Sequence, residues 1–340
     1  MPTYPQSGLR RFIVRSALIT SVVLGILTHP VLVIAQSPPK VVHIGYLSVG
    51  GRTPDGAPPG PFREGLRDLG YIDGQTVVYA ARFAEGKLER LPDLAAELVR
   101  LPVDVIVATG GPATAAARQA TATIPIIMAP AAGDAVAVGW IASLPRPGGN
   151  VTGLTDESVQ LSAKRLELLK EAVPQAALIA VLWNASDPGM TLRYREIEKA
   201  AQLLHVEVQA LSVREPADFA GAFSTMTRRR PDAIFLVSDV LTNMNRKRVI
   251  EFATTHRIPA MYEYSSYVRD GGLMSYGPSF EDGFRLAARY IDRIVKGAKP
   301  ADLPAEQPTQ YYLAVNLTTA ATLGLTFPPA LVLRTDEVVQ

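Results

Sequence analysis

The segment that most constrains this chain is VDVIVATGGPATAAAR at residues 103–118. Val103, Val105, Ile106 and Val107 form a short β-branched run of the kind that fills a parallel strand buried on both faces. The run breaks at Thr109-Gly110-Gly111. Pro112 then suits the first turn of a helix, where its missing N–H has no intrahelical partner to lose, and the alanines behind it favour helix. Strand, glycine turn and helix in this order leave backbone N–H groups bare at the helix start, beside the C-terminal edge of a sheet, where an anion can be seated. The same glycines also serve a plain βα turn, so the meaning of the segment depends on its surroundings.

The surroundings repeat the pattern. Strands are predicted over residues 41–46, 77–83 and 124–128. Helices are predicted between them, on Phe62, Leu66 and Leu69, on Leu91, Leu94, Ala95 and Leu98, and behind Pro112. Such alternation implies a parallel, doubly wound sheet that binds ligands at its C-terminal edge. Residues 144–153, LPRPGGNVTG, are dense in turn formers and read as a first passage to a second lobe. There the alternation resumes, with strands over 178–183, 206–211 and 233–237. GGLMSYG at 271–277 then makes a strand between glycine hinges, a helix carries Phe284, Ala287, Ala288, Ile291 and Ile294, and a late strand spans 310–316. A βα unit placed after two complete alternations fits if the chain returns to the first lobe and crosses once more. The expected fold is therefore α/β, two doubly wound parallel-sheet lobes joined by a three-crossing hinge. Residues 38–153 plus 272–305 would form the N-terminal lobe, and 154–271 plus 306–340 the C-terminal lobe.

The first forty residues are of another kind. Arg10, Arg11 and Arg15 stand without an acidic residue, an apolar run follows from Ala17 to Leu27, and Val33-Ile34-Ala35 precedes Gln36. A basic start, an apolar middle and small residues before a cleavage point describe a secretory signal peptide over residues 1–35, cut after Ala35, and so a periplasmic protein. The formal charge of +2 belongs to this leader, because removing its arginines turns the remainder slightly negative. A near-neutral chain offers nucleic acid no electrostatic footprint. The chain has no cysteine, which excludes thiol catalysis, thiolate metal sites and a lipid-anchored cysteine.

With these segments in view, the chain resembles the exported substrate-binding proteins of ABC importers, the family whose characterised members include tryptophan- and tyrosine-binding proteins. The resemblance is carried by the leader, GYLS at 45–48, AEGKLERLPDLAAELV at 84–99 and VDVIVATGGPATAAA at 103–117. LPRPGGNVTG at 144–153, GGLMSYGPS at 271–279 and KGAKPADLP at 296–304 extend it over essentially the whole chain after the leader, in order. It implies the type I periplasmic-binding architecture, a small ligand closed between the lobes, and ABC permease subunits in the membrane as partners. It also implies a monomer without cofactor or metal. The chain departs from the family pattern at Gly133-Asp134-Ala135, where relatives often carry Gly-Asp-Pro, at Asn184-Ala185-Ser186, and at Ala80-Ala81.

If the ligand is an amino acid, it needs an anion seat, a cation partner and room for its side chain. Ser48, Thr109 and the amides of Gly110 and Gly111 are expected to hold the carboxylate, since neutral donors avoid burying a cation. Asp134 and Asp239 each follow a strand and are the candidates for the ammonium group, with a helix N-cap as the competing role of each. Asn184 is a donor or acceptor from the second lobe, with an Asx-turn as its competing role. Of the aromatic residues, Tyr262 is chosen to meet the ligand side chain. An enzyme is the contrasting class. His43, His205 and His256 stand apart, however, and GLMSYG misses the nucleophile elbow because its leading glycine lies one residue too far upstream. An exported ligand sensor for a membrane receptor is the other alternative.

Overall fold

The computed structural model describes residues 1, 3, 41–130, 134–155 and 158–340, without the side chains of 158–160. Apart from residues 1 and 3, the expected leader lies outside the described residues, as do residues 131–133, the small-residue loop before Asp134.

The first lobe runs β1 (Val42–Ser48), α1 (Gly60–Asp68), β2 (Val77–Phe83), α2 (Leu91–Arg100), β3 (Val105–Thr109), α3 (Gly111–Ala120), β4 (Ile126–Met128) and β5 (Val151–Gly153). Its strands lie in the order β2-β1-β3-β4-β5, with every neighbour parallel. All five residues of β3 are buried, as a central parallel strand requires. Two apolar clusters cover the faces of this sheet. Leu91, Leu94, Ala95 and Leu98 of α2 pack with Ile106 on one side, and Phe62 and Leu66 of α1 pack with Val105 and Val107 on the other.

The second lobe continues with α4 (Ser158–Ala172), β6 (Leu178–Asn184), α5 (Pro188–Leu203), β7 (Glu207–Val213), α6 (Asp218–Arg228), β8 (Ala233–Leu236), α7 (Val240–Met244), α8 (Arg246–Thr255), β9 (Ala260–Tyr262), α9 (Ser265–Arg269) and β10 (Met274–Gly277). Then α10 (Phe280–Val295) returns to the first lobe. The tail brings β11 (Tyr312–Asn316), α11 (Leu317–Leu323), α12 (Pro329–Val332) and β12 (Glu337–Val339) back to the second. That sheet has the order β12-β11-β10-β9-β8-β6-β7, and β10 with β11 is its antiparallel pair.

Two expectations are corrected. LPRPGGNVTG is not only a passage: its end is the edge strand β5. Gly153 adopts φ +117°, and a Cβ there would stand 2.5 Å from the Met128 carbonyl oxygen, so only glycine lets β5 close on β4. The strand in GGLMSYG, expected in the first lobe with residues 272–305, belongs to the second sheet. Met274 pairs with Met261 on one side and Val315 on the other. A Cβ at Gly277 would lie 2.1 Å from the Glu263 carbonyl oxygen, so this glycine is what lets β10 end against the residue after β9. The helix alone crosses back. It docks on α1, where Gly65 admits the Arg285 backbone, and Gly283 admits Pro130.

The lobes are joined at three places. The chain passes through Leu154-Thr155, through Pro278-Ser279 and through Ala305-Glu306. The first and third of these pair with each other: Glu306 N–H donates to Gly153 O at 2.9 Å and Thr155 N–H to Glu306 O at 3.0 Å. The hinge is thus a two-stranded ribbon with one single-strand crossing beside it.

Candidate functional site

Both sheets turn their C-terminal strand edges to the gap between the lobes. On the first lobe, β1 ends in Ser48, whose Oγ accepts the Gly50 N–H at 3.0 Å. β3 ends in Thr109, whose Oγ1 donates to Tyr46 Oη at 3.0 Å. Burial pushes the Tyr46 phenol up to about 12, so it stays neutral and these hydroxyls form an uncharged ridge. Gly110 follows at φ +93°, and α3 begins with amides that have no intrahelical acceptor. The groups expected to form an anion seat are therefore side by side, and none of them is a cation.

On the second lobe, β6 ends in Asn184 and β8 is followed by Ser238-Asp239. Asn184 Nδ2 donates to Asp239 Oδ2 at 2.6 Å, and its Oδ1 accepts the Ser186 N–H at 2.9 Å. Asp239 caps α7: Oδ1 accepts the Thr242 N–H at 2.8 Å, and Thr242 Oγ1 accepts the Asp239 N–H at 2.8 Å. Cleft residue and helix cap, the alternatives weighed for Asp239, are thus compatible. Its second oxygen takes one donor and keeps acceptor capacity. Burial raises the Asp239 carboxyl above its usual range. Asp187, the N-cap of α5, was not anticipated as a site residue. It is 6% exposed, accepts the Gly189 N–H at 2.8 Å, and is pushed up to about 6 by burial and then by the charge of Asp239. The Asp-Pro-Gly run at 187–189 is the signal that marks it, an N-cap before a helix-starting proline.

The lobes meet through Val240, the first residue of α7. A Cβ built at Gly110 would stand 3.0 Å from a Val240 methyl carbon, and one at Gly50 3.5 Å from the other. Val240 follows Asp239, so this contact sets the start of α7 beside the turns at Gly50 and Gly110. On the hinge side of this contact lie two cavities, of about 260 and 200 Å³, which share Tyr264 and Phe280 as a wall. These two rings meet edge-on at 5.1 Å. The smaller cavity is also lined by Asp239, Asn243 and Ser266. On the other side a cleft of about 900 Å³ opens between α3 and α5, with Gly111, Pro112, Asp134, Trp140, Asp187 and Pro188 on its walls.

Two expected residues stand elsewhere or do something else. Tyr262 is 1% exposed in the core of the second lobe, its ring stacked on Tyr267 at 5.2 Å. β9 ends at Tyr262, and the chain places Tyr264, two residues on, at the cavities instead. Asp134 lines the outer cleft, but its Oδ1 accepts the Val136 and Ala137 N–H groups at 3.1 and 3.0 Å; this holds a turn, since no helix follows for it to cap. Among the described residues no cluster of histidine and acidic side chains could hold a metal ion, and no helix is long and apolar enough to cross a membrane.

With this geometry in place, the similarities to known proteins become informative. Residues 57–339 match the model of a family described as ABC transporter substrate binding protein. The tyrosine-binding protein of Clostridioides difficile strain R20291 is 28% identical over 265 residues, covering 78% of this chain and 75% of that protein. Among solved structures, an ABC domain from Streptococcus pneumonia in complex with L-Trp is 26% identical and superposes with a TM-score of 0.80, covering 88% of this chain and all of the other. The ligand-free, open structure of a substrate binding protein with adhesive properties from Clostridium difficile has 25% identity and the same coverage, but a TM-score of 0.62.

Proposed function

The chain belongs to the family of ABC transporter substrate binding proteins, and on that premise we propose that it captures an aromatic amino acid between its lobes and delivers it to a membrane permease. The observation that carries this reading is the meeting of two unlike surfaces. An uncharged donor ridge at Ser48, Thr109, Gly110 and Gly111 lies on the first lobe and the buried Asn184–Asp239 pair on the second, and the lobes touch at Gly110 and Val240, the residue after Asp239. An α-amino acid has a carboxylate for the first and an ammonium for the second. Because the two seats are on different lobes, the ligand binds the closed form better than the open one, and that differential affinity is what drives closure.

Tyr264 and Phe280 supply aromatic walls for a ring, and the relatives named for tyrosine and seen with L-Trp support the same class. The difference between TM-scores of 0.80 and 0.62, at nearly equal identity, fits a chain drawn in its closed form. The protein performs no chemistry. It is exported by its leader, works as a monomer in the periplasm, and is read by the permease in its closed shape.

Isothermal titration with L-tryptophan, L-tyrosine, L-phenylalanine, L-leucine and the D-enantiomers tests this. One L-aromatic ligand per chain, bound at least tenfold tighter than leucine or the D-forms, is the expected result. Absence of binding to every amino acid tried overturns the ligand class.

A further inference from the structure

Behind Asp239 lies a charge cluster that lines neither the two hinge-side cavities nor the outer cleft. Glu263 is 1% exposed and stands between Arg165 and Arg193, themselves 0% and 1% exposed. Its Oε1 is 3.4 Å from Arg165 Nη1 and its Oε2 3.2 Å from Arg193 Nη1. Each member also holds a backbone segment. Glu263 Oε1 accepts the Ser238 N–H at 3.2 Å, Arg193 Nη1 donates to Ser238 O at 3.1 Å, and Arg165 Nε donates to Tyr276 O at 2.6 Å.

These segments are the ones the site depends on. Ser238 precedes Asp239, Glu263 precedes Tyr264, and Tyr276 lies two residues before the crossing at Pro278. Charges removed from water this fully are weak stabilisers compared with well-packed apolar groups, so stability alone is a poor account of the cluster. From this arrangement we propose that Glu263, with Arg165 and Arg193, is a positioning residue that sets Asp239 and Tyr264 relative to the hinge crossing and thereby fixes ligand affinity. The inference rests on the reading that the ligand meets Asp239 and Tyr264.

The test uses the full chain with two variants, Glu263→Gln and Arg193→Met. The second leaves one balanced Arg165–Glu263 pair, so it decides the matter if the first fails to fold. Thermal unfolding, titration with L-tryptophan and L-tyrosine, and amide exchange in ligand-free protein are measured together. The expected result is a folded Arg193→Met variant with a tenfold or greater loss of affinity. Its amide exchange should be at least tenfold faster at residues 238–242 and 264–267 and unchanged in β7. A Tm loss with wild-type affinity and wild-type exchange in those segments would reduce the cluster to structure and overturn the proposal. If neither amino acid binds the wild-type chain, the ligand reading fails by itself, and the exchange rates alone then decide the positioning role.

Discussion

At the scale of single residues, Asp239 bears the most weight because it caps α7 and faces the cleft at once. Asparagine is as good an N-cap as aspartate, so Asp239→Asn separates the two roles. The cap survives but the buried bond from Asn184 Nδ2 is lost, so the expected outcome is a stability loss of about 1–3 kcal/mol by denaturation and, in the variant that remains folded, a loss of ligand affinity of about 2 kcal/mol or more, since a charge-assisted bond to the ammonium is gone. Asp187 makes a prediction about pH. Its carboxyl is held up to about 6, against 3.8 for the free group, so between these values the native state keeps a proton that the unfolded chain has lost. The contribution of Asp187 to stability therefore falls as pH rises from about 4 to 6 and is flat above, a cost of at most about 3 kcal/mol at neutral pH. Asp187→Asn keeps the cap. Its denaturation free energy, minus that of the wild type, is expected to rise across that window and stay positive at pH 7. A difference that does not change with pH contradicts the assignment. The positions of Ser48, Thr109 and Asn184 at strand ends, and of Asp239 just beyond one, were legible because each follows a buried apolar run. Tyr262 was misplaced because it is the last residue of its strand and its ring turns into the core, and no local pattern distinguishes the ring that stays there from that of Tyr264, which leaves it.

Among the elements, the contact between α7 and the turn before α3 is where the two lobes touch beside the candidate site. Gly110 is at φ +93° with ψ 151°, a region that side chains enter at a cost of about 1–3 kcal/mol, and its missing Cβ leaves room for Val240. Gly110→Ala is expected to lower the unfolding free energy by that amount and to weaken the amino-acid ligand further, because the added methyl would sit 3.0 Å from Val240 in the closed form. Equal losses of stability in free and ligand-bound protein would show that the contact does not report closure. The strongly periodic elements, α2, α3, β1 and β3, were readable because burial imposes their patterns directly. The short strands β5 and β9, of three residues each, were not. Val151-Thr152-Gly153 sits among turn formers and Ala260-Met261-Tyr262 has no β-branched run, whereas β4, equally short, was readable from Ile126 and Ile127. The sheet to which β10 belongs was not readable either, because Gly277 matters only once the Glu263 carbonyl is beside it.

For the whole molecule, three crossings make one hinge, and the paired Leu154 and Glu306 segments give it a preferred axis. The crossing count followed from the number of βα units, a property of the chain as a whole, and survived the misplacement of β10 because α10 still returns to the first lobe. On the proposed reading, closure contributes selectivity: a solute touching one lobe only would bind without shifting the equilibrium. The most direct test is native mass spectrometry of the protein, purified gently and then supplied with all twenty amino acids. One bound aromatic amino acid per chain, absent from the Asp239→Asn variant, is the predicted result. A different bound solute, or an adduct that persists in the variant, contradicts the capture of an amino acid between these two surfaces.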